Sequence, residues 1–156
     1  MESFVLNVDS YLGPWGVEGN NKEITAIYQP HEHRRDSVGT PPRAVATAAR
    51  QLEEYFAGRR KAFSVCLASV SSTDFQRDVW AALVAIPYGE VRTYGEVALS
   101  VNRPRASRAV GNANHVNPYP IIVPCHRVVA STGIGGYGGG GERVKRFLLD
   151  LEGATY

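Results

Sequence analysis

The sequence has little that would hold it together outside a reducing compartment or anchor it to a lipid bilayer. It carries only two cysteines, Cys66 and Cys125, in 156 residues, too few for a disulfide framework. No stretch approaches 18 consecutive apolar residues, so no transmembrane helix is expected. The N-terminus lacks a basic segment followed by a long apolar run, so no secretory signal is expected either. Together these absences lead us to expect a cytoplasmic chain with no membrane partner. Charge of one sign is also scarce. Seventeen Lys and Arg against fifteen Asp and Glu leave a formal charge of +2, too mild to indicate a nucleic-acid partner from net charge alone. Metal ligands are few: His31, Glu32, His33 and two distant cysteines do not supply four ligands at usable spacing, so no metal is expected. The glycine run 135–141 lacks both the Lys-Ser/Thr ending of a P-loop and the spacing of a dinucleotide fingerprint, and no cofactor is expected. Internal repeats are absent.

What is present is a 44% hydrophobic content, ample for a core, and two differently patterned halves. The first reads as strands. Short runs at 4–8, 13–17 and 23–28 are split by Gly and Asn turns, with Asn20-Asn21 as a hairpin turn. Residues 30–42, rich in Pro and His, read as a loop. Val45, Ala48, Ala49, Leu52, Tyr55 and Phe56 then recur at helical spacing until Gly58 ends the run. Residues 62–68 return as a strand, with Cys66 expected in the core. Residues 68–72 read as a linker, which predicts an α+β domain over 1–69 and a second domain over 70–156.

The second half is patterned for helices. Ser72 or Thr73 can cap a helix burying Phe75, Val79, Trp80, Leu83 and Ile86, stopped at Pro87-Tyr88-Gly89. Thr93 caps another with Val97 and Ala98 inside. A turn at Asn102-Arg103-Pro104 leads to a third, at about 105–114. The pair 93–101 and 105–114 is a helix-turn-helix candidate. Ile121-Ile122-Val123 reads as extended. After the glycine-rich loop, Val144, Phe147, Leu148 and Leu151 share one face of a final helix. Charge is uneven here: Arg92, Arg103, Arg105, Arg108 and Arg127 fall among a single acid, Glu96. Such a stripe can follow a phosphate backbone, and it can equally be an ordinary solvated surface. Arginines at the start of the second helix favour nucleic acid, because phosphates sit well at helix N-termini.

One cysteine stands beside a histidine, in Pro124-Cys125-His126-Arg127-Val128-Val129. A free thiol, with a pKa of about 8.5, is only a few per cent thiolate near neutral pH, and a nearby base or cation raises that fraction. Sequence neighbours need not face each other, so the dipeptide also fits a buried cysteine with a surface histidine. In the glycine run Tyr137 can offer a stacking face to a flat ligand or serve as a core tyrosine.

The combination is more specific than its parts. Pro124-Cys125-His126-Arg127-Val128-Val129 follows Arg-Ala-Val-Gly-Asn-Ala-Asn (108–114), with Asn117-Pro118 between them and Tyr137-Gly138-Gly139 after. This closely resembles the O⁶-alkylguanine-DNA alkyltransferases, strongly over 74–152 and more loosely through Leu12-Gly13-Pro14 and the 51–56 helix. The resemblance implies a small N-terminal ribonuclease H-like α+β domain and a mostly helical C-terminal domain with a winged-helix-like helix-turn-helix. It implies a monomer that binds double-stranded DNA through the minor groove, flips out an alkylated guanine and takes the alkyl group irreversibly onto Cys125. O⁴-alkylthymine would be a poorer substrate.

By the same resemblance, Cys125, His126 and Glu152 form a relay with a water between cysteine and histidine, and Asn117 braces the turn before the cysteine. Arg108 takes the flipped base's place in the stack. Ala106, Ser107, Ala109 and Gly111 lie on the DNA-facing helix, where small side chains permit close approach. Tyr94 rotates the nucleotide. The pocket is formed by Tyr94, Cys125, Val128, Tyr137 and Gly138: the Cys125 and Val128 carbonyls accept from the guanine amino group, and the Gly138 N–H and Tyr94 hydroxyl donate to the purine. The chain departs from the family pattern by glycine at 138, where some relatives carry serine, and by one extra residue near Gly141. His115 has no role by resemblance. Two other readings are a non-catalytic lesion-binding protein of the same fold and a helix-turn-helix regulator. Relatives of the first kind replace the cysteine, which is present here, and the second would need an additional metal-binding domain.

Overall fold

A computed structural model describes residues 3–137 and 141–156. Gly138, Gly139 and Gly140, including the expected pocket donor Gly138, lie outside the described residues. The chain divides into two compact units, Met1–Val70 and Ser71–Tyr156.

In the first unit, β1 (Phe4–Ser10), β2 (Gly13–Gly19) and β3 (Ile24–Tyr28) form an antiparallel sheet in sequence order. The Asn20-Asn21 turn joins β2 to β3, with the Asn20 N–H bonded to the Glu23 carbonyl at 3.0 Å. One helix, α1 (Arg43–Phe56), buries Val45, Ala48, Ala49, Leu52 and Tyr55, the stripe its 3.6-residue period lays out. Trp15 and Val17 of β2 are buried in the same unit. Residues 62–68 do not form the expected strand. They meet β3 at a single bridge, Ile24 with Leu67. Cys66 is exposed rather than in the core, because alternation along this extended segment turns Val65 and Leu67 inward and Cys66 out.

The second unit begins with α2 (Asp74–Val84), capped by Thr73 in a capping box with Gln76. Val79, Leu83 and the following Ile86 are fully buried, whereas Phe75 and Trp80 are only half-buried. The Trp80 indole spends its N–H on the Ala113 carbonyl at 2.9 Å, tying α2 to a later helix. Next come β4 (Arg92–Thr93) and α3 (Tyr94–Ser100), where Thr93 and Glu96 make a second capping box. A turn follows in which Asn102 adopts φ 60°, a left-handed conformation that asparagine tolerates. Then α4 (Ser107–His115) begins two residues later than expected. Arg105 remains in the turn because the Ala106 N–H is bonded back to the Arg103 carbonyl at 2.9 Å.

Residues 121–123 are not extended. Ile121 has φ 76°, a strained conformation for a β-branched residue, inside a tight turn closed by the Val123 N–H on the Tyr119 carbonyl at 2.8 Å. A single 3₁₀ turn, Cys125–Arg127, leads into β5 (Val128–Val129). The parallel pairing of β5 with β4 sets Arg92 against Val128 and Thr93 against Val129. That short ladder delivers the start of α3 to the segment that carries Cys125. The last helix, α5 (Gly141–Leu151), buries Val144, Lys145, Leu148 and Leu149. Its inward face is therefore rotated from the expected one: Phe147 and Leu151 are half-buried, and a lysine lies inside. Among the described residues, no helix is long and apolar enough to cross a membrane.

Candidate active site

Cys125 is buried at the head of the 3₁₀ turn, with 7% of its surface exposed. It lines a pocket of about 290 Å³ whose walls include Tyr94 from α3, Gly111 and Asn114 from α4, and Gly136 and Tyr137 from the glycine-rich loop. A larger, open groove along α2 and α3 is lined by Ala82, Val97 and Leu99 among others, and Cys125 is not part of its lining.

His126 and Glu152 meet. The imidazole Nε2 lies 2.7 Å from a Glu152 carboxylate oxygen, and both side chains are fully buried. Arg127 grips the same carboxylate with two donors, Nε at 2.8 Å and Nη2 at 3.1 Å, and gives Nη1 to the Ile86 carbonyl at 2.7 Å. Arg127 thus belongs to the interior, 7% exposed, and not to the surface stripe that sequence grouping suggests. Its fixed charge balances Glu152. A third charge at this carboxylate would have to be desolvated without a new partner, and burial accordingly pushes the His126 imidazole below its ordinary value despite the nearby glutamate. The ring is then neutral, with Nε2 donating to Glu152. Nδ1 is left as an acceptor, and it is buried without a hydrogen-bond partner among the described residues.

Asn117 holds the turn that presents the cysteine. Its amide donates to the Val123 carbonyl at 2.8 Å, and its carbonyl accepts from the Tyr119 N–H at 2.9 Å. The strained Ile121 lies between those two anchors. Burial pushes the Cys125 thiol up, while hydrogen bonds from Asn117 and Tyr137 and the positive charge of Lys145 oppose that shift.

Two residues of this site escaped sequence reasoning. Arg127 was grouped with the surface charges, and Lys145 was not considered at all. Lys145 is fully buried, donating to the Val128 carbonyl at 2.5 Å and the Gly136 carbonyl at 3.0 Å, with its Nζ 5.6 Å from the centre of the Tyr94 ring. A signal existed. Positions 145, 148, 149 and 152 fall at i, i+3, i+4 and i+7, so any helix that buries Leu148, Leu149 and Glu152 also buries Lys145.

The remaining expected site residues are distributed as follows. Tyr94 is half-buried, its hydroxyl on the Gly136 carbonyl at 3.3 Å. Gly135, with φ 79°, packs so tightly that a Cβ there would lie 3.0 Å from the Tyr94 ring. The Val128 carbonyl faces Lys145, which takes up one of its lone pairs. On α4, Ser107 and Arg108 are exposed, and Ala109 and Gly111 are half-buried, as is Ala106 just before the helix. His115 also lines the pocket. Among the described residues, no group of three or more His, Cys, Asp or Glu could hold a metal ion.

A buried cysteine, a neutral histidine with a free Nδ1 and a carboxylate on its far nitrogen can deprotonate a thiol and direct it at an electrophile in the pocket. Comparison with known proteins decides which. Residues 74–154 match the family described as 6-O-methylguanine DNA methyltransferase, DNA binding domain. A methylated-DNA–protein-cysteine methyltransferase of Mycobacterium bovis is 47% identical over 149 residues, 93% of this chain and 89% of the relative. The chain belongs to this family. Another member, from Methanosarcina acetivorans, is 57% identical over 69% of this chain and 68% of its own. The crystal structure of the Mycobacterium tuberculosis O⁶-methylguanine methyltransferase superposes with a TM-score of 0.84 at 42% identity, covering 97% of this chain and 93% of that one. A structure titled M. tuberculosis OGT in complex with DNA gives 0.82 at 45% identity, covering 94% and 91%. As a methylated-DNA–protein-cysteine methyltransferase, the chain reverses DNA alkylation directly by transfer to a cysteine.

Proposed function

We propose that Cys125 is the single-use alkyl acceptor and that the pocket beside it receives an O⁶-alkylguanine flipped from duplex DNA, with O⁴-alkylthymine a poorer substrate. The observation that carries this is the orientation of His126: Nε2 held by Glu152 and Nδ1 buried with no partner among the described residues. The Cys125 thiol passes its proton to Nδ1, directly or through one water. Sγ then attacks the alkyl carbon, the carbon–O⁶ bond breaks, and the purine leaves with the electron pair and takes up a proton. The product is a thioether, which this chain has no means of reversing.

A base in the stack cannot reach a buried sulfur, so it must be extruded at a cost of about a few kcal/mol. Arg108, exposed near the start of α4, fills the vacated place in the duplex. Ala106, Ser107, Ala109 and Gly111 let α4 lie close in the minor groove. Tyr94 and the Gly138 N–H donate to the purine, Tyr137 walls the pocket, and the carbonyls of Cys125 and Val128 accept from the guanine amino group. Lys145 already occupies one lone pair of the Val128 oxygen, which leaves the second for the base. On this reading, residues 1–69 are a ribonuclease H-like domain and 70–156 the DNA-binding and alkyl-acceptor domain. There α3 and α4 form a winged-helix-like helix-turn-helix. The protein acts as a cytoplasmic monomer without metal or cofactor. The DNA bound by the M. tuberculosis relative supports the choice of partner.

Incubation with duplex containing O⁶-methylguanine, followed by intact mass and peptide mapping, tests this. One methyl group on the Cys125 peptide is expected, with transfer abolished and DNA affinity kept in C125S. Unmodified protein that still binds the lesion duplex would overturn it in favour of a non-catalytic lesion binder. R108A is expected to slow reaction with duplex much more than with the free base, and equal slowing would contradict its role in flipping.

A further inference from the structure

The interior around Cys125 holds more positive charge than its carboxylate can balance. Arg127 and Glu152 cancel, His126 is neutral, and Lys145 is left over. Its hydrogen bonds go to two carbonyls, Val128 and Gly136, and among the described residues it forms no salt bridge. A fully buried ammonium without an anion is unfavourable, so a chain that retains one has a use for the charge. The other polar side chains lining the pocket or bonded to the sulfur are Tyr94, Asn112, Asn114, His115, Tyr137 and Asn117. None of these is an anion at neutral pH. Among the described residues lining the pocket, the group able to supply the missing negative charge is the thiolate itself.

We propose that Lys145 is the built-in counter-cation of the Cys125 thiolate, a positioning residue that favours the reactive form of the sulfur while it pins the pocket wall through Val128 and Gly136. The inference rests on Cys125 being the acceptor. Each group shifts the other in the sense this requires: Lys145 draws the Cys125 thiol down, and Cys125 draws Lys145 up, against a burial that leaves the amine at about 8. During transfer the negative charge moves from Sγ, as the sulfur–carbon bond forms and the carbon–O⁶ bond breaks, onto the purine, which is then protonated by water. Lys145 is bonded to Gly136 and lies 5.6 Å from the Tyr94 ring, two walls of the pocket that holds Cys125. A fixed cation there costs no reorganisation as the charge moves.

The test is the pH dependence of carboxamidomethylation by iodoacetamide in the full chain, read separately at Cys125 and Cys66 by peptide mapping. Cys66 is exposed and serves as an internal reference. K145M and K145Q are expected to move the Cys125 midpoint up by about one pH unit or more, a roughly tenfold loss of reactivity at neutral pH that higher pH restores. K145R is expected to bring the midpoint back toward wild type, and Cys66 should not change. Folded K145M and K145Q with wild-type midpoints would sink the proposal, leaving Lys145 a purely structural tether. Should neither variant fold, NMR titration of the lysine side chains in wild-type protein decides. Capping Cys125 should lower the Lys145 midpoint, and an unmoved midpoint overturns the idea. Wild-type protein that takes no methyl group from lesion duplex defeats the acceptor reading, while the two midpoints still report whether cysteine and lysine are coupled.

Discussion

At the scale of single residues, Glu152 is the hinge of the site. It fixes the His126 tautomer and neutralises Arg127 with bonds of 2.7 to 3.1 Å. Removing it strands a buried guanidinium, which costs about 3–5 kcal/mol, and frees the imidazole to turn. E152A is therefore expected to lower stability by that amount, measured by urea unfolding, and to slow alkyl transfer by about 10²–10⁴-fold, the usual worth of a positioned base. An E152A protein as stable as wild type would mean that Arg127 finds another partner. Gly135 makes the complementary case. Its φ of 79° and the 3.0–3.1 Å approach of Tyr94 and the Ala130 amide leave no place for a methyl group. G135A is expected to displace Tyr94 and reduce transfer rate more than DNA affinity, read by comparing single-turnover rates with binding isotherms.

At the scale of elements, two short pieces do the positioning. The two-residue ladder of β4 and β5 sets the start of α3 against the segment that follows the 3₁₀ turn, so Tyr94 and Cys125 line one pocket. The Thr93–Glu96 capping box fixes the first turn of α3, and T93A is expected to cost about 1 kcal/mol of stability, observable as a lower melting temperature. On α4, a Cβ at Gly111 would meet, among the described residues, only the Tyr94 ring, at an ordinary 3.8 Å. G111A should raise helix stability by roughly 0.5–1 kcal/mol. If α4 lies against a minor groove, the same methyl group weakens DNA binding. A variant both more stable and equally tight on DNA would argue against that close approach.

At the scale of the whole molecule, buried charge makes stability depend on pH. The folded state holds His126 below the ordinary imidazole value of 6.5 because of its burial, so as pH falls the unfolded chain takes up the proton first. Stability from this group is complete above about pH 6.5 and is lost as pH falls through the lower folded value. Urea midpoints should decline between pH 7 and 5. The acid limb of the transfer rate should lie below 6.5, since Nδ1 stays unprotonated until then. A limb at or above 6.5 would mean that the imidazole is not held neutral.

Much of this was legible in the amino-acid order, for physical reasons that are local. Caps at Thr73 and Thr93, the stripe of α1 and the turn at Asn20-Asn21 depend on residues within a few positions of each other. The Pro-Cys-His-Arg segment and the arginine-led helix before it pointed to alkyl transfer onto a cysteine only through their resemblance to the alkyltransferase family. Tertiary structure decided what depends on contacts between distant positions. The partners of Arg127 are 25 and 41 residues away, so composition near Arg127 could only suggest a surface stripe. Cys66 turned outward because one bridge to Ile24 set the register of an otherwise unpaired segment. Ile121 left the extended conformation because Asn117 and Tyr119 close a turn around it. Lys145 went inside because the face of α5 is chosen by Leu148, Leu149 and the neighbouring Glu152 together, and a lysine on that face is carried in with them. Charge taken out of water needs a partner. The sequence named the sulfur and the histidine, and only the fold showed which charges surround them.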